Sequence, residues 1–242
     1  MRAVLSLVTA AALASAASGQ RIFERDTITT SQGALEITFI GHASVMLVWQ
    51  GKVVHVDPIS RQADYAQLPK AHLVFITHEH RDHLDTLALR QVCTPTTVVG
   101  IAAACRELVP EGVVLRNGDV ATLAGLRVEA VPAYNIQHRR DSGEPFHPRG
   151  RGNGYIITFG DTRVYLAGDT EDIPEMMQLT DIAVAFLPMN LPYTMTPEMA
   201  AHAARMVQPR ILYPYHFGNS NVNRLVELLR GEKIEVRIRQ MR

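Results

Sequence analysis

Thr77-His78-Glu79-His80-Arg81-Asp82-His83-Leu84-Asp85, or THEHRDHLD, sets three histidines and three carboxylates in nine residues, directly after the apolar run Leu73-Val74-Phe75-Ile76. An apolar run of four reads as a buried strand, and the residues from Leu84 to Val92 have helical spacing. The stretch therefore sits where a strand leaves a sheet and turns into a helix. His78-Glu79 begins like the zinc-protease helix H-E-x-x-H, but Asp82 stands in the fifth position, so that motif fails. The ligand-type residues His78, His80, Asp82 and His83 fit neither one helical face nor one strand face. A loop that presents them in two directions suits them, and two directions suggest two metal ions. Imidazole nitrogen with carboxylate oxygen suits zinc, manganese or iron, and the absence of nearby thiolates argues against a structural cysteine-type zinc site.

Two further segments carry ligand-type residues at strand ends. Gly168-Asp169-Thr170 follows the strand Arg163–Ala167, and His216 follows the strand Ile211–Tyr215. Around them the chain reads as strands with helices inserted, twice over. Residues 35–40, 44–49 and 52–56 alternate with a β period, and Gly41 and Gln50-Gly51 punctuate them. Thr97–Gly100 reads as a short strand feeding a helix through Leu108. Leu126–Ala133, the hairpin Gly154–Phe159/Arg163–Ala167 and Ile182–Leu187 continue the pattern. Thr196 caps a helix that has Pro197 at its first position and Glu198 in its first turn. His138–Asn153, rich in Arg, Gly and Pro, reads as a long surface loop of the kind that is often functional. Strands then helices, repeated, favour two packed sheets with helices outside over a doubly wound parallel sheet.

The bulk composition bounds the function classes. The chain has 242 residues, 47% of them hydrophobic, and balances 24 Lys and Arg against 24 Asp and Glu. That neutrality leaves no electrostatic footprint for nucleic acid, so no nucleic-acid partner is expected. Met1-Arg2, the Ala/Leu-rich run Ala3–Ala14 and Ala14-Ser15-Ala16 read as an export signal over residues 1–19. The protein is accordingly expected to be periplasmic or secreted, with no stable membrane anchor. The two cysteines, Cys93 and Cys105, lie in no metal-type pattern. Cys105, in the helix-like run Ile101–Cys105, reads as a buried thiol.

His78-x-His80-x-Asp82-His83, with Gly168-Asp169-Thr170 and a late His216, resembles the metallo-β-lactamase fold superfamily over residues 34–242. Gly41-His42-Ala43-Ser44, Asp57-Pro58 and Met195-Thr196-Pro197-Glu198 are similar to the branch containing ascorbate-6-phosphate lactonase-like and N-acyl phosphatidylethanolamine phospholipase D-like hydrolases. The resemblance implies an α/β fold, the four-layer αβ/βα sandwich of two mixed sheets with helices outside. It implies that His78 and His80 bind one metal, that Asp82, His83 and His216 bind a second, and that Asp169 bridges them, with Asp82 and Asp169 essential to catalysis. Asp57 would be a carboxylate orienting a ligand histidine from behind.

One position departs from the pattern. Where the superfamily has a third histidine for the first metal, Val131-Pro132-Ala133-Tyr134-Asn135 ends in Asn135. Either Asn135 coordinates through its amide, or a histidine of the following loop replaces it, His147 being preferred to His138. Tyr134, His138 and Tyr193 flank these loops and are candidate substrate contacts. His55, His72 and His202 read as structural, and His42 as structural with a lesser expectation of approaching the pocket.

Two divalent cations can hold a hydroxide at neutral pH, because coordination lowers the pKa of water from about 15.7 to about 7. The expected function is therefore metal-dependent hydrolysis of an ester, lactone or phosphodiester in a small-molecule substrate. The alternatives are a β-lactamase, a non-catalytic metal-binding protein retaining the fold, and a di-iron redox protein.

Overall fold

Four antiparallel strands followed by three parallel ones, traversed twice, build the protein. The computed structural model describes residues 22–242, and the expected export signal over 1–19 lies outside the described residues. The first sheet runs β1 (Glu24–Thr30), β2 (Gly33–Gly41), β3 (Ser44–Trp49), β4 (Lys52–Val56), β5 (Leu73–Ile76), β6 (Val98–Ala102) and β7 (Val113–Leu115), in spatial as well as chain order. The pairs from β1 to β4 are antiparallel, and those from β4 to β7 are parallel.

The second sheet repeats the scheme with β8 (Val120–Leu123), β9 (Leu126–Ala133), β10 (Gly152–Phe159), β11 (Thr162–Leu166), β12 (Ile182–Pro188), β13 (Ile211–Tyr215) and β14 (Glu235–Val236). Here β8 to β11 pair antiparallel and β11 to β14 parallel. The result is the four-layer sandwich that the repeated strand–helix order predicts.

Residue periodicity explains the layering. In β5 all four residues are buried, but alternate ones face different cores. Leu73 and Phe75 join the cluster between the two sheets, whereas Val74 and Ile76 join a second cluster outside the first sheet. Helix α1 (Thr86–Val92) covers that outer face with Ala88, Leu89 and Val92. Helix α2 (Pro197–Val207) covers the second sheet with Ala200, Ala201, Ala203, Ala204 and Val207. Both helices begin on side-chain caps, which satisfy N–H groups that the first turn leaves without helical partners. Asp85, the last carboxylate of THEHRDHLD, accepts from the backbone N–H of Leu87 at 2.8 Å. Thr196 Oγ1 accepts from that of Met199 at 3.1 Å. The third helix, α3 (Val222–Leu228), lies against α2 and joins the sandwich core through Leu225.

Two segments differ from the expectation. The first sheet starts eleven residues earlier than the alternating pattern at 35–40 suggests, because Glu24–Thr30 (ERDTITT) pairs with β2 along its whole length despite its charges. The run Ile101–Cys105 is not helical. β6 continues to Ala102, and only a single 3-10 turn, Ala103–Cys105, follows. Cys105 is buried as expected, and both cysteines are free thiols.

A charged cluster ties β1 to the C-terminal segment of the second half. Asp26 accepts hydrogen bonds from Arg239 Nη2 at 2.7 Å, from Arg237 Nη1 at 3.2 Å and from the Tyr213 hydroxyl. Burial alone would raise the Asp26 carboxyl, but Arg239 and Tyr213 more than offset it and hold it below the usual carboxylate range. A carboxylate depressed in the folded state stabilises above its unfolded pKa, and the contribution is lost as pH falls through the folded value. Asp26→Asn should therefore destabilise the protein by about 1–2 kcal/mol at neutral pH. Denaturant titrations should show that difference shrinking as pH falls below about 4, the ordinary carboxylate value.

Candidate metal centre

The ligand-type residues of THEHRDHLD, with Asp169 and His216, follow strand ends on one edge of the sandwich. β5 delivers His78, His80, Asp82 and His83, β11 delivers Asp169, and β13 delivers His216. After β5 the backbone closes a turn in which the N–H groups of His83 and Leu84 both donate to the carbonyl of His80, at 2.9 and 2.8 Å. That turn sets His80 beside His147 and Asp82 beside His216, while His78 and His83 converge on Asp169 between them. Gly168 adopts φ +66°, and a Cβ there would lie 2.7 Å from the Asn153 carbonyl oxygen, so glycine alone lets Asp169 reach the centre.

The side chains gather into two groups joined by a third, His78, His83 and Asp169. His78, His80 and His147 form one, and His42, Asp82, His83 and His216 form the other. In the first, His80 Nδ1 lies 3.1 Å from His78 Nε2 and 3.2 Å from His147 Nε2. In the second, Asp82 Oδ2 lies 3.2 Å from His42 Nε2 and 3.6 Å from His216 Nε2. Asp169 stands between them. Its Oδ2 is 3.3 Å from His147 Nε2 and 3.4 Å from His216 Nε2, and its Oδ1 is 3.4 Å from His83 Nε2.

These spacings fit a bound metal. Tetrahedral ligands at about 2.0–2.1 Å from an ion lie about 3.3–3.4 Å from one another. The hydrogen-bond inventory agrees, because His83 Nε2, both ring nitrogens of His216 and Asp169 Oδ1 are buried without a hydrogen-bond partner. Buried polar atoms are almost always paired, and a cation is the partner these atoms are arranged to receive.

The opposite ring nitrogens of three histidines are tethered, and the tethers aim Nε2 inward. His83 Nδ1 meets Asp57 Oδ2 at 2.8 Å, His78 Nδ1 meets Thr77 Oγ1 at 3.0 Å, and Thr77 Oγ1 itself donates to Asp57 Oδ2 at 2.7 Å. His147 Nδ1 meets Asn135 Oδ1 at 2.7 Å. Asp57, fully buried at the end of β4, also accepts from the Thr77 backbone N–H at 2.8 Å. One carboxylate thus orients two imidazoles, one directly and one through Thr77. Such partners set the tautomer and aim of a ligating imidazole, and their loss typically weakens metal binding about 10- to 100-fold. Asp57→Asn should produce a loss in that range in a competition titration against a chromogenic chelator.

Electrostatics push the same groups towards a cation. Burial, reinforced by the neighbouring His83, holds the His78 imidazole well below its usual value, so it stays neutral. Burial would lower His83 as well, but the Asp169 and Asp57 carboxylates outweigh it and raise His83 well above the ordinary value. Asp169 and Asp82 are both held well below the usual carboxylate range despite burial, Asp169 by the neighbouring His216 and His83, Asp82 by the neighbouring His216 and a hydrogen bond from His42. Two ionised carboxylates ringed by imidazoles attract either a proton or a metal, and the two compete.

Asn135 does not face the centre as a ligand. Its Oδ1 is taken by the backbone N–H of His147 at 2.8 Å and by His147 Nδ1, and its Nδ2 donates to Glu171 Oε1 at 3.0 Å. Glu171, also fully buried, accepts the backbone N–H groups of Ile136, Gln137 and His138 at 2.7–2.8 Å. Burial would raise its carboxyl, but the Asn135 amide and these three N–H groups hold it low. Glu171 thereby fixes the turn after β9, Asn135 follows from it, and Asn135 positions His147. The loop His138–Asn153 reaches inward at His147, which is buried, while Arg139–Glu144 remain exposed.

His42 and Glu171 are the residues that sequence reasoning undervalued. His42 occupies the β2–β3 turn at φ +54°, its carbonyl accepts the His216 N–H at 2.9 Å, and the two rings lie 3.8 Å apart. Gly41-His42-Ala43-Ser44 was its only signal. Glu171 had none beyond its place two residues after Asp169. The other histidines are structural as expected. His55 is buried against the Pro69 carbonyl and pushed down to about 4 by burial, His72 accepts the Val53 N–H, and His202 pairs with Asp172.

The clusters floor a cleft of about 280 Å³ whose walls are Arg81, Arg140, Phe146, Asn190 and Tyr193. Of the three substrate-contact candidates, only Tyr193 lines it. Tyr134 donates to Glu175 at 2.9 Å beneath Arg149, and His138 Nδ1 lies 2.8 Å from Glu171. A larger depression, about 940 Å³, lies between the end of α2 and the start of β12, and none of the clustered ligands reaches it.

Paired sheets carrying a histidine–aspartate cluster at their common edge define the class of metal-dependent hydrolases with the metallo-β-lactamase fold. The family model described as beta-lactamase superfamily domain matches residues 36–216, and the chain belongs to that family. A crystal structure of a protein described as a metal-dependent hydrolase from Parabacteroides distasonis is 48% identical. It superposes with a TM-score of 0.88, over 91% of this chain and all of that one. A UPF0173 metal-dependent hydrolase of Methanopyrus kandleri is 31% identical, covering 76% of this chain and 84% of its own. Igni18, a metallo hydrolase from Ignicoccus hospitalis, is 26% identical with a TM-score of 0.70, covering 86% of this chain and 95% of that one. The protein is a metal-dependent hydrolase.

Proposed function

We propose that the protein hydrolyses an ester, lactone or phosphodiester bond of a small molecule at a centre of two divalent ions. Zinc is the first candidate, with manganese and iron as alternatives. The observation that carries this reading is the set of buried, unpartnered ligand atoms, His83 Nε2, His216 Nε2 and Asp169 Oδ1, converging beneath an open cleft. In this assignment His78, His80 and His147 hold one ion, and Asp82, His83 and His216 hold the other, with Asp169 shared. Divalent ions so held supply Lewis-acid activation of water and of the substrate oxygen.

The protein's own groups hold that arrangement in place. Asp57, Thr77 and Asn135 keep three imidazoles in one tautomer, and His42 donates to Asp82 and keeps its carboxylate turned inward. The non-catalytic alternative drew its strength from the missing histidine at position 135. The approach of His147 Nε2 to His80 at 3.2 Å supports the hydrolytic reading against it. Export remains a proposal resting on the Met1–Gly19 pattern.

The test combines elemental analysis of the purified protein with a panel of lactone, phosphodiester, carboxylic ester and β-lactam substrates. Turnover lost on chelation, restored by added metal and absent from Asp82→Ala supports the reading. Turnover unaffected by chelation, or a metal-loaded protein inert on the entire panel, contradicts it.

A further inference from the structure

We propose that the cleft selects an anionic substrate, binding a carboxylate or phosphate group between Arg81 and Arg140. The inference rests on the hydrolytic reading above and extends it to the class of molecule recognised.

The arginines around the centre fall into two kinds. Arg149 pairs with Glu175 at 2.6 Å and Arg151 with Glu79 at 2.5 Å, so their charge is compensated. Arg81 and Arg140 both line the cleft, and among the described residues neither has a carboxylate partner. Arg140 is nevertheless held in place. Its guanidinium lies 5.1 Å over the Phe146 ring and Nη2 donates to the Phe146 carbonyl at 3.3 Å. Its backbone closes a turn with Glu144 and Gly143 at 2.8 Å. Phe146 packs edge-on against Tyr193, ring centroids 5.1 Å apart, so the Arg140 platform and the cleft wall are one assembly.

The rest of the wall has the same character. The Asn190 side chain and the Tyr193 hydroxyl have no hydrogen-bond partner among the described residues, and both face the cleft. The two carboxylates in the cleft, Asp82 and Asp169, belong to the clusters on its floor. Above that floor stand two guanidiniums without a carboxylate partner, an amide and a phenol. A guanidinium offers a planar fork of donors that matches a carboxylate or phosphate edge, and it stays charged at all relevant pH. A donor-rich, doubly cationic wall beside the reaction centre favours an acceptor-rich anion and discriminates against a neutral molecule of the same shape. The Phe146–Tyr193 surface adds an apolar face for the carbon skeleton.

Isothermal titration of the zinc-loaded protein with benzoate, phenyl phosphate and neutral benzamide tests the proposal without requiring turnover. The wild type should bind at least one of the two anions more tightly than benzamide, and the anion preferred tells a carboxylate from a phosphate substrate. Arg81→Gln/Arg140→Gln should weaken that anion by at least about tenfold and leave benzamide unchanged, since one lost charge-assisted hydrogen bond accounts for that much. Arg140→Gln alone, remote in sequence from the ligand loop, should give part of the loss at unchanged zinc content. Anions bound no better than benzamide, or bound equally well by the double variant at wild-type zinc content, would overturn the clamp. Arginine-dependent binding without hydrolysis of any ester would keep the clamp and sink the hydrolytic reading. Hydrolysis of neutral and anionic esters alike, with binding unchanged in the variants, would do the reverse.

Discussion

Asp169→Ala should empty both ligand groups at once and abolish hydrolysis. Among the described carboxylates, it is the one that approaches histidines of both groups. One carboxylate approaches His147 and His216 through Oδ2 and His83 through Oδ1. Its removal leaves the first group with imidazoles alone and the second with Asp82 as its one carboxylate, and an ion without charge balance in a buried site is costly. Metal content by elemental analysis should fall close to zero per chain, and kcat/KM should drop by about 10³-fold or more, beyond the loss of a single electrostatic contact in an active site. Asp169→Asn keeps the shape and removes the charge, so it should lose metal nearly as completely. A variant that kept both ions would show that Asp169 is not shared.

His147→Ala should cost the first group its third nitrogen while sparing the second. His147 is held by Asn135 and lies against His80 and Asp169, remote from Asp82 and His216 in hydrogen-bonding terms. Removing a direct ligand should weaken that ion by more than the 10- to 100-fold expected for an orienting partner. The variant is therefore expected to retain one tightly bound ion. Adding Asn135→His to it supplies an imidazole at the end of β9, where the superfamily pattern has one. The double variant should regain the ion of the first group, read by titration against a chelator. Failure of the double variant to regain it would mean that the end of β9 is too far from His78 and His80 to substitute.

Much of this was legible in the chain because the chemistry sits at strand ends. An apolar run followed by clustered histidines marks both the end of β5 and the start of the centre. The same logic located Asp169 and His216, and the asparagine at position 135 directed attention to His147 in the loop that follows. What escaped depends on tertiary pairing. Glu24–Thr30 carries too many polar residues to announce a strand, and it is one only because β2 pairs with it on its inner side. His42 is a lone histidine in a turn until the β2–β3 turn hydrogen-bonds to the end of β13. Glu171 looks like any surface carboxylate, and only the fold reveals four donors converging on it. Arg81 and Arg140 cannot be told from Arg149 and Arg151 in sequence, since the difference lies in which of them have a carboxylate nearby.

The central claim is a two-ion centre completed by His147. Anomalous diffraction at the absorption edge of the metal found in the purified protein tests it directly. Two peaks about 3.5–4 Å apart are expected. One should lie about 2.0–2.1 Å from His78 Nε2, His80 Nδ1 and His147 Nε2. A single peak, or a first ion ligated by Asn135 with His147 turned away, would contradict the account.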